Sequence, residues 1–477
     1  MSIGKEVSSS IRWMAGMRMV SQVFTWAATL IVIRLLSPED YGLMTLAAVV
    51  IGLLDILDDM GLASTLVQKK QTSDEFVRQI FGMLFIFNTG FYVLLFVTAP
   101  WVADFFGDER LSVIIQILGL QTIIRIFFYI PNAIMRRNMQ FKSVSLIKFS
   151  AVVTQSMTIL LFAYLGHGVW SLVYGGLVYT GVQTIGAMLV SNYFRWPSFS
   201  FEGIGEALSF GGLITVHRFM FYFYHAIGSV ILGKVDGQKA LGYYSVAMQI
   251  AHLPMEKFMM ILNEVGFSAF STIQDNQKKM NELLCKAVRL LGVVVFPVFM
   301  GISCTSPELV AVLLGDKWTP VAIPLQIVSA VMALKMMNIT DPLLFAMGRP
   351  DVGVKALAIG CVIMPIAFYI GSHWGVLGMS ISWLIAYPPY FYISMKIVLA
   401  TIGMKLSTYL REFTFPAIFS GVMYIMVIIA REVISPHVGN TALELVMLIF
   451  VGAVTYTVLV LAFQRDIIKQ LYVMVRH

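Results

Sequence analysis

Two polar stripes carry the residue types in this sequence that could bind a ligand. Each stripe begins with an arginine, and polar residues follow at i+4, i+7 and i+11, which places them on one face of a helix. The first stripe comprises Arg18, Gln22, Thr25 and Thr29, and the second comprises Arg218, Tyr222, His225 and Ser229. A charged arginine at the centre of a membrane-spanning helix costs at least about 2.5–3.5 kcal/mol. The stripes therefore predict a cationic site that faces a cavity and holds a phosphate group, with a structural ion pair between helices as the alternative.

Further ionisable residues within the apolar segments could join this site. Asp55 and Asp59 share a helix face by i,i+4 spacing, which would suit pairing with Arg18, and Glu256 is another acidic candidate. These carboxylates could also be proton or sodium sites. His225 could titrate near neutral pH and couple protons to transport, although a lone histidine also serves as a packing residue.

Arg125 and Lys335 are two more cations within apolar segments. They either extend the basic cavity or reach toward the inner membrane surface along their apolar stems. The sequence contains no Walker loop, dinucleotide fingerprint, nucleophile elbow or HExxH motif. We therefore expect no catalytic residue, metal site or cofactor.

Composition identifies the elements that must position these residues. Of the 477 residues, 58% are apolar and 12% are charged, whereas soluble domains are about half apolar and about a quarter charged. At about 20 residues per crossing, this apolar content is enough for about 14 transmembrane helices. Long apolar runs exclude the alternating strands of a membrane β-barrel. The net charge of +7 comes without a nucleic-acid-binding motif, so no nucleic-acid partner is expected.

The expected fold is an all-α polytopic membrane protein with about 14 spans. The predicted spans are 8–35, 41–58, 77–99, 111–130, 143–165, 168–191, 208–232, 240–262, 286–305, 321–345, 354–372, 375–400, 413–431 and 440–463. With the N-terminus inside, 23 of the 33 Lys and Arg residues lie at the inner side, six at the outer side and four within spans. This asymmetry predicts that both termini are cytoplasmic.

The two halves of the chain match each other at an offset near 200 residues. The loop that contains Gly42 corresponds to the loop that contains Gly242, and Arg125 corresponds to Lys335 at an offset of 210. Such a duplication predicts two lobes of six helices, related by an axis along the membrane normal, followed by two added helices. The predicted segments are an N-lobe over 1–195, a linker over 196–207, a C-lobe over 208–400, and two helices with a tail over 401–477.

Several short motifs, taken in order, resemble the Wzx-type polysaccharide exporters. There are five such motifs: Arg34 to Gly42, Asp59 to Leu62, Pro131 to Phe141, Gly168 to Leu172, and Leu241 to Ser245. These exporters are lipid-linked oligosaccharide flippases of the multidrug/oligosaccharidyl-lipid/polysaccharide superfamily. The resemblance covers nearly the whole chain and is closest to the branch that serves colanic acid and other exopolysaccharides.

This resemblance implies a V-shaped bundle that opens to alternate sides of the bacterial inner membrane. The implied substrate is an oligosaccharide repeat unit on undecaprenyl pyrophosphate, and the implied partners are membrane lipid, a polysaccharide polymerase and a chain-length regulator. Cationic residues of the cavity would engage the pyrophosphate, a role that Arg18 and Arg218 would suit. A multidrug exporter of the same superfamily is the alternative, and a polytopic enzyme would need a large outer loop that this chain lacks.

Overall fold

The computed structural model describes residues 16, 22, 24–57, 66, 73–200, 205–273 and 276–464, without the side chains of 57, 205–217 and 256–269. These residues form helices, turns and short connections, and no β-strand is found among them. The expected all-α class is therefore confirmed. By their contacts, the residues divide into two units, Met1–Gly242 and Tyr243–His477.

Among the described residues, the first unit includes the following helices. They are α1 (Phe24–Leu35), α2 (Pro38–Leu57), α3 (Asp74–Phe106), α4 (Arg110–Arg137), α5 (Phe141–Tyr164), α6 (Val169–Ser191), α7 (Gly205–Val235) and α8 (Gly237–Ser271), of which α8 continues into the second unit. Because α7 packs against α2, contacts place it with the first unit. The boundary at Gly242 thus lies beyond the predicted linker at 196–207, and the division into transport lobes stays a prediction.

Within its described residues, the second unit includes the rest of α8 and eight α-helices that follow it. They are α9 (Gln277–Cys304), α10 (Ser306–Leu313), α11 (Ala322–Lys335), α12 (Asp341–Ala346), α13 (Pro350–Ser372), α14 (Gly375–Thr401), α15 (Leu406–Ile434) and α16 (Thr441–Phe463). Within the described ranges, ten helices are long and apolar enough to cross a membrane. The polytopic class is confirmed, whereas the count of fourteen spans stays a prediction.

The predicted span over 321–345 is interrupted in the structure. Its helix ends at Lys335, and a turn that contains Thr340 and Asn338 precedes α12. The Thr340 hydroxyl donates a hydrogen bond to Asn338 Oδ1 (3.1 Å), a local side-chain contact that competes with a continuous helix. Mean hydropathy does not register this break because the apolar residues on both sides of it keep the average high.

The internal duplication recurs in the packing of the two units. In the first unit, α3 packs on α4, α4 packs on α6, and α5 packs on α6. The corresponding helices of the second unit make the same three contacts: α9 with α11, α11 with α14, and α13 with α14. The order of contacts therefore repeats even though α10 is inserted in the second unit.

A polar cap joins the starts of α2 and α6. The N–H of Asp40 donates to Ser37 Oγ (3.1 Å), and the N–H of Ser37 donates to Asp40 Oδ2 (3.0 Å), which is a capping box. Pro38 takes the first helical position, where no amide hydrogen is required. Asp40 Oδ1 accepts the N–H of Val169, the first residue of α6 (2.9 Å). One carboxylate thus fixes the starts of two helices.

The starts of α2 and α8 meet backbone to backbone at two equivalent points. A Cβ atom on Gly42 would lie 1.8 Å from the carbonyl oxygen of Gln238, and a Cβ atom on Gly242 would lie 1.8 Å from that of Pro38. Residues 38 and 42 correspond to 238 and 242 in the duplication. Each copy therefore contributes the same glycine and the same carbonyl, so the contact has a local two-fold symmetry.

An ion pair lies at the centre of this symmetric contact. Lys239 Nζ lies 3.3 Å from Glu39 Oε1, and these two residues are themselves equivalent in the duplication. Their side chains are 62% and 41% exposed, so the pair contributes at most about 1 kcal/mol. We call residues 37–42 and 237–242 the duplicated joint. The two backbones approach closely in this joint because Gly42 and Gly242 have no Cβ atom.

The last two helices pack against the other helices of the second unit. Phe419 of α15 packs with Tyr456 of α16, and the Tyr456 hydroxyl donates to the carbonyl oxygen of Val293 in α9 (2.8 Å). Near the other end of α15, Arg431 forms an ion pair with Glu308 of α10 (2.6 Å), whose side chain is 7% exposed. These polar contacts fix the added helices to the duplicated part of the chain.

We predict that Gly42→Ala lowers the thermal stability of the protein, since its Cβ would overlap the Gln238 carbonyl. Overpacking of this kind costs about 1–3 kcal/mol. The matched control is Gly90→Ala in α3, where no atom lies within 4 Å of the added Cβ, and helix propensity favours alanine there. Thermal unfolding of the purified variants in detergent measures both effects. Equal melting temperatures for Gly42→Ala and wild type would show that the joint tolerates a wider spacing.

Candidate functional site

A charged and polar cluster surrounds the last two turns of α2. The Asp55 carboxylate forms an ion pair with the Arg125 guanidinium of α4, and the two side chains are 43% and 26% exposed. From α7, the Tyr222 hydroxyl donates a hydrogen bond to the carbonyl oxygen of Val49. It also lies over Gly52, where a Cβ would be 2.7 Å from the hydroxyl oxygen. The structure thus brings together three of the residues predicted for the site.

Among the described residues, Asp55 has an ion-pair partner that its spacing did not suggest. The sequence suited Asp55 for pairing with Arg18, whereas in the structure it pairs with Arg125. Arg18 and Asp59 lie outside the described residues, as does the side chain of Glu256. The ion-pair alternative is therefore realised at Asp55, but with a cation on α4.

In the second polar stripe, one side chain packs against a neighbouring helix and others are exposed. Arg218 and His225 are exposed on α7, while Tyr222 is half-buried against α2. The His225 ring lies 4.5 Å from the Phe221 ring and 5.2 Å from the Tyr224 ring, measured between centroids. Tyr222 therefore fixes α7 on α2 and leaves Arg218 accessible. In the first stripe, Gln22 is helical and half-buried.

Lys335 lies in an aromatic environment in the second unit. Its side chain is 8% exposed, and its Nζ atom lies 4.9 Å from the centroid of the Trp383 ring. Trp383 Nε1 donates to the Tyr244 hydroxyl (2.7 Å), and the Phe368 ring packs 5.2 Å from Trp383. Lys335 and Arg125 occupy matched positions in the duplication, yet one meets a ring and the other a carboxylate. Because Lys335 is buried beside a ring, the structure shows its side chain packed within the second unit.

A polar pocket that sequence reasoning missed continues from this cluster along α4. It has a volume of about 250 Å³ and is lined by α4, α5 and α6. Five of its ten described lining residues are polar: Asn132, Arg136, Lys148, Tyr179 and Gln183. In the sequence, Arg136 and Lys148 counted among the inner-side cations that indicate topology, and Arg136 also lies in the Pro131 to Phe141 motif. The available signal was the i, i+7, i+11 spacing of Arg125, Asn132 and Arg136 on one face of α4.

Comparison with known proteins gives this chain a family and a fold. Residues 31–323, more than half of the chain, match the polysaccharide biosynthesis protein family. The lipopolysaccharide biosynthesis protein WzxC of Escherichia coli is 25% identical, over 81% of this chain and 79% of its own. The succinoglycan biosynthesis transport protein ExoT of Rhizobium meliloti is 23% identical, over 99% and 96%.

Solved structures share the fold at low sequence identity. The lipid II flippase MurJ in an inward closed conformation matches with a TM-score of 0.76 and 14% identity, over 94% of this chain and 99% of its own. An inward-facing multidrug resistance transporter of the MATE family, in the MOP superfamily, matches with a TM-score of 0.60 and 14% identity, over 80% and 95%. The fold is therefore that of MOP superfamily transporters.

We predict energetic coupling between Asp55 and Arg125 in a double-mutant cycle with Asp55→Asn and Arg125→Gln. Each single change leaves a charge without its partner, so the two losses of stability should sum to more than the loss in the double variant. Residues in direct contact couple by about 0.5–3 kcal/mol. The control is the exposed pair Arg349 and Asp351, 49% and 48% exposed, where we expect about 0–1 kcal/mol. Additive changes in melting temperature at Asp55 and Arg125 would contradict the ion pair.

Proposed function

Because the chain belongs to the polysaccharide biosynthesis protein family, we propose that it is a flippase for lipid-linked oligosaccharides. It moves repeat units on undecaprenyl pyrophosphate across the membrane by alternating access, for exopolysaccharide, capsule or O-antigen synthesis. The observation that carries this proposal is the family match in a chain with the fold of a lipid II flippase. The chain is a transport protein and not an enzyme.

The headgroup requires a polar path while the polyprenyl tail stays in lipid. Cationic and polar residues of the spans provide this path, because a phosphate that meets hydrocarbon alone is strongly unfavourable. We assign six residues to headgroup binding: Arg18, Arg218, Arg125, Lys335, Gln22 and Tyr222. Arg218 supports this assignment most directly, since its side chain is exposed on α7.

Downhill ion flow supplies the energy in this proposal. Four residues are assigned to coupling or to compensating ion pairs: Asp55, Asp59, Glu256 and His225. The contact between Asp55 and Arg125 suggests how coupling would act. Loss of this contact would release the Arg125 guanidinium for the headgroup, so that ion binding at Asp55 and substrate binding become linked. Either ligand can shift the conformational equilibrium only by its difference in affinity for the two states.

Export of organic cations is the second function that the fold permits. The exposed arginine side chain at Arg218 would repel such substrates, and this disfavours the drug-exporter alternative. The two functions give opposite results in a transport assay with anionic lipid and cationic drug as substrates.

The location follows from the same proposal. We place the protein in the bacterial inner membrane as a multi-pass protein with both termini in the cytoplasm. A polysaccharide polymerase and a chain-length regulator would act with it, because the flipped repeat unit is their substrate on the outer side. The distribution of Lys and Arg supports this orientation.

We predict that the wild-type protein translocates undecaprenyl-pyrophosphate-linked oligosaccharide in proteoliposomes, measured by the access of an impermeant glycosidase to the sugar. Arg218→Ala should slow translocation about tenfold, the loss of about 1.4 kcal/mol of stabilisation, and Arg218→Lys should retain more activity. Arg349→Ala is the control, since Arg349 Nε donates a hydrogen bond to the nearby Asp351 Oδ1 (2.9 Å). Transport of an organic cation without transport of the lipid would refute the flippase. Full activity of Arg218→Ala would refute only the role of Arg218.

We predict opposite labelling of two loops in a variant without the native Cys285, Cys304 and Cys361. Glu109→Cys lies between α3 and α4, and Asn138→Cys follows α4; both positions are exposed. In intact cells with a permeabilised outer membrane, an impermeant maleimide should label position 109. Position 138 should react only after the inner membrane is opened. The reverse pattern would invert the orientation.

A further inference from the structure

The polar pocket of the first unit, which we call the inner pocket, is lined by Asn132 and Arg136 of α4, Lys148 of α5, and Tyr179 and Gln183 of α6. Arg136 and Lys148 are exposed, whereas the three uncharged residues are half-buried. The cations therefore lie at the mouth of the pocket and the neutral polar groups lie deeper. Tyr179 interacts with the side chain of Gln183, one turn further along α6.

The chemistry of this lining suits an anion with several oxygen atoms. The guanidinium of Arg136 can donate two parallel hydrogen bonds to a phosphate, and the Lys148 ammonium adds a second positive charge. The amides of Asn132 and Gln183 and the Tyr179 hydroxyl supply further donors. The described residues that line the pocket include no carboxylate. The described lining therefore has two cationic side chains and several hydrogen-bond donors.

The dimensions of the inner pocket restrict the ligand. Its volume of about 250 Å³ is below the roughly 300–1,000 Å³ typical of sites for drug-sized molecules. It can hold a phosphate or pyrophosphate group but not an oligosaccharide. The pocket also differs from the neighbouring cavity of about 410 Å³ beside Phe81 and Phe85, whose described lining is mainly aromatic and has Arg195 as its one charged residue.

Two neighbouring cations show that convergence on the inner pocket is selective. Arg137 follows Arg136 directly, yet its Nη1 atom donates to the carbonyl oxygen of Leu66 (3.3 Å). Lys142 lies on the same helix as Lys148 but does not line the pocket. Of these four cations, Arg136 and Lys148 line the pocket, so Arg137 and Lys142 provide matched comparisons on the same two segments.

The position of the inner pocket relates it to the cluster around α2. Arg125, Asn132 and Arg136 share one face of α4, and a rise of 1.5 Å per residue puts Arg136 about 16 Å from Arg125 along the helix. Arg125 is paired with Asp55, so the accessible positive charge on this face lies at the Arg136 end. In the proposed orientation this is the cytoplasmic end.

We propose that the inner pocket binds a phosphate or pyrophosphate group at the cytoplasmic side of the first unit, with Arg136 and Lys148 as its charged ligands. The identification of this group as the headgroup of a lipid-linked substrate rests on the proposed flippase function. The site itself is separate from the cluster of Asp55, Arg125 and Tyr222. It receives the anion before the headgroup reaches that cluster.

The test is binding of inorganic pyrophosphate and of undecaprenyl pyrophosphate to the purified full chain in detergent, measured by titration calorimetry. Arg136→Ala and Lys148→Ala should each weaken binding at least tenfold, and Arg136→Lys should recover part of the affinity. Arg137→Ala and Lys142→Ala are the matched controls and should bind as the wild type does. Melting temperatures close to that of the wild type establish that each variant is folded.

The two probes separate the sources of the anion. Tighter binding of undecaprenyl pyrophosphate than of inorganic pyrophosphate, lost in both variants, supports a lipid headgroup; equal binding supports a free anion. Wild-type affinity in both Arg136→Ala and Lys148→Ala, or no binding by the wild type, overturns the site. Because translocation is measured separately, a flippase without this site and a site without flippase activity give different results.

Discussion

The cost of a charge inside a membrane governs how these helices pack. An ionised side chain at the bilayer centre is unfavourable by at least about 2.5–3.5 kcal/mol, and the structure compensates its cations in chemically different ways. Arg125 meets the Asp55 carboxylate, and Lys335 lies over the Trp383 ring, where attraction to a ring is strengthened by desolvation. Each compensation joins two helices, α2 with α4 in one unit and α11 with α14 in the other. The charges thus specify which helices are neighbours.

The duplicated joint explains the residue types that are found at the start of α2. Within it, Ser37 and Asp40 cap the helix, Asp40 also fixes the start of α6, and Gly42 admits the Gln238 carbonyl. Each residue type has its own steric or hydrogen-bonding reason. The second copy keeps the glycine, at Gly242, but lacks the capping serine and aspartate. Close approach of the backbones is therefore the property that both copies share.

The sequence was sufficient for the features that depend on local periodicity, and insufficient for those that depend on partners. Apolar runs located the long helices from α2 to α16 but not the short helix α10, and the offset near 200 residues located the duplication. Hydropathy did not reveal the break after Lys335, because the turn at Thr340 depends on side-chain hydrogen bonding. Spacing suggested Arg18 as the partner of Asp55, whereas the neighbour is Arg125. Which helices adjoin is a tertiary property that the spacing along one helix does not contain.

The inner pocket was missed for the same reason, since its cations come from α4 and α5 and its amides from α4 and α6. Its placement on the same face of α4 as Arg125 has a physical consequence for a mobile anion. The field of a paired arginine is dipolar and falls off faster with distance than that of a single charge, so in the proposed path an approaching phosphate would be attracted first by Arg136 and Lys148. It gains from Arg125 only once Asp55 is neutralised or displaced. The cations of α4 and α5 at the surface would bind the anionic headgroup first. Its further movement toward Arg125 would then depend on the state of one carboxylate, that of Asp55.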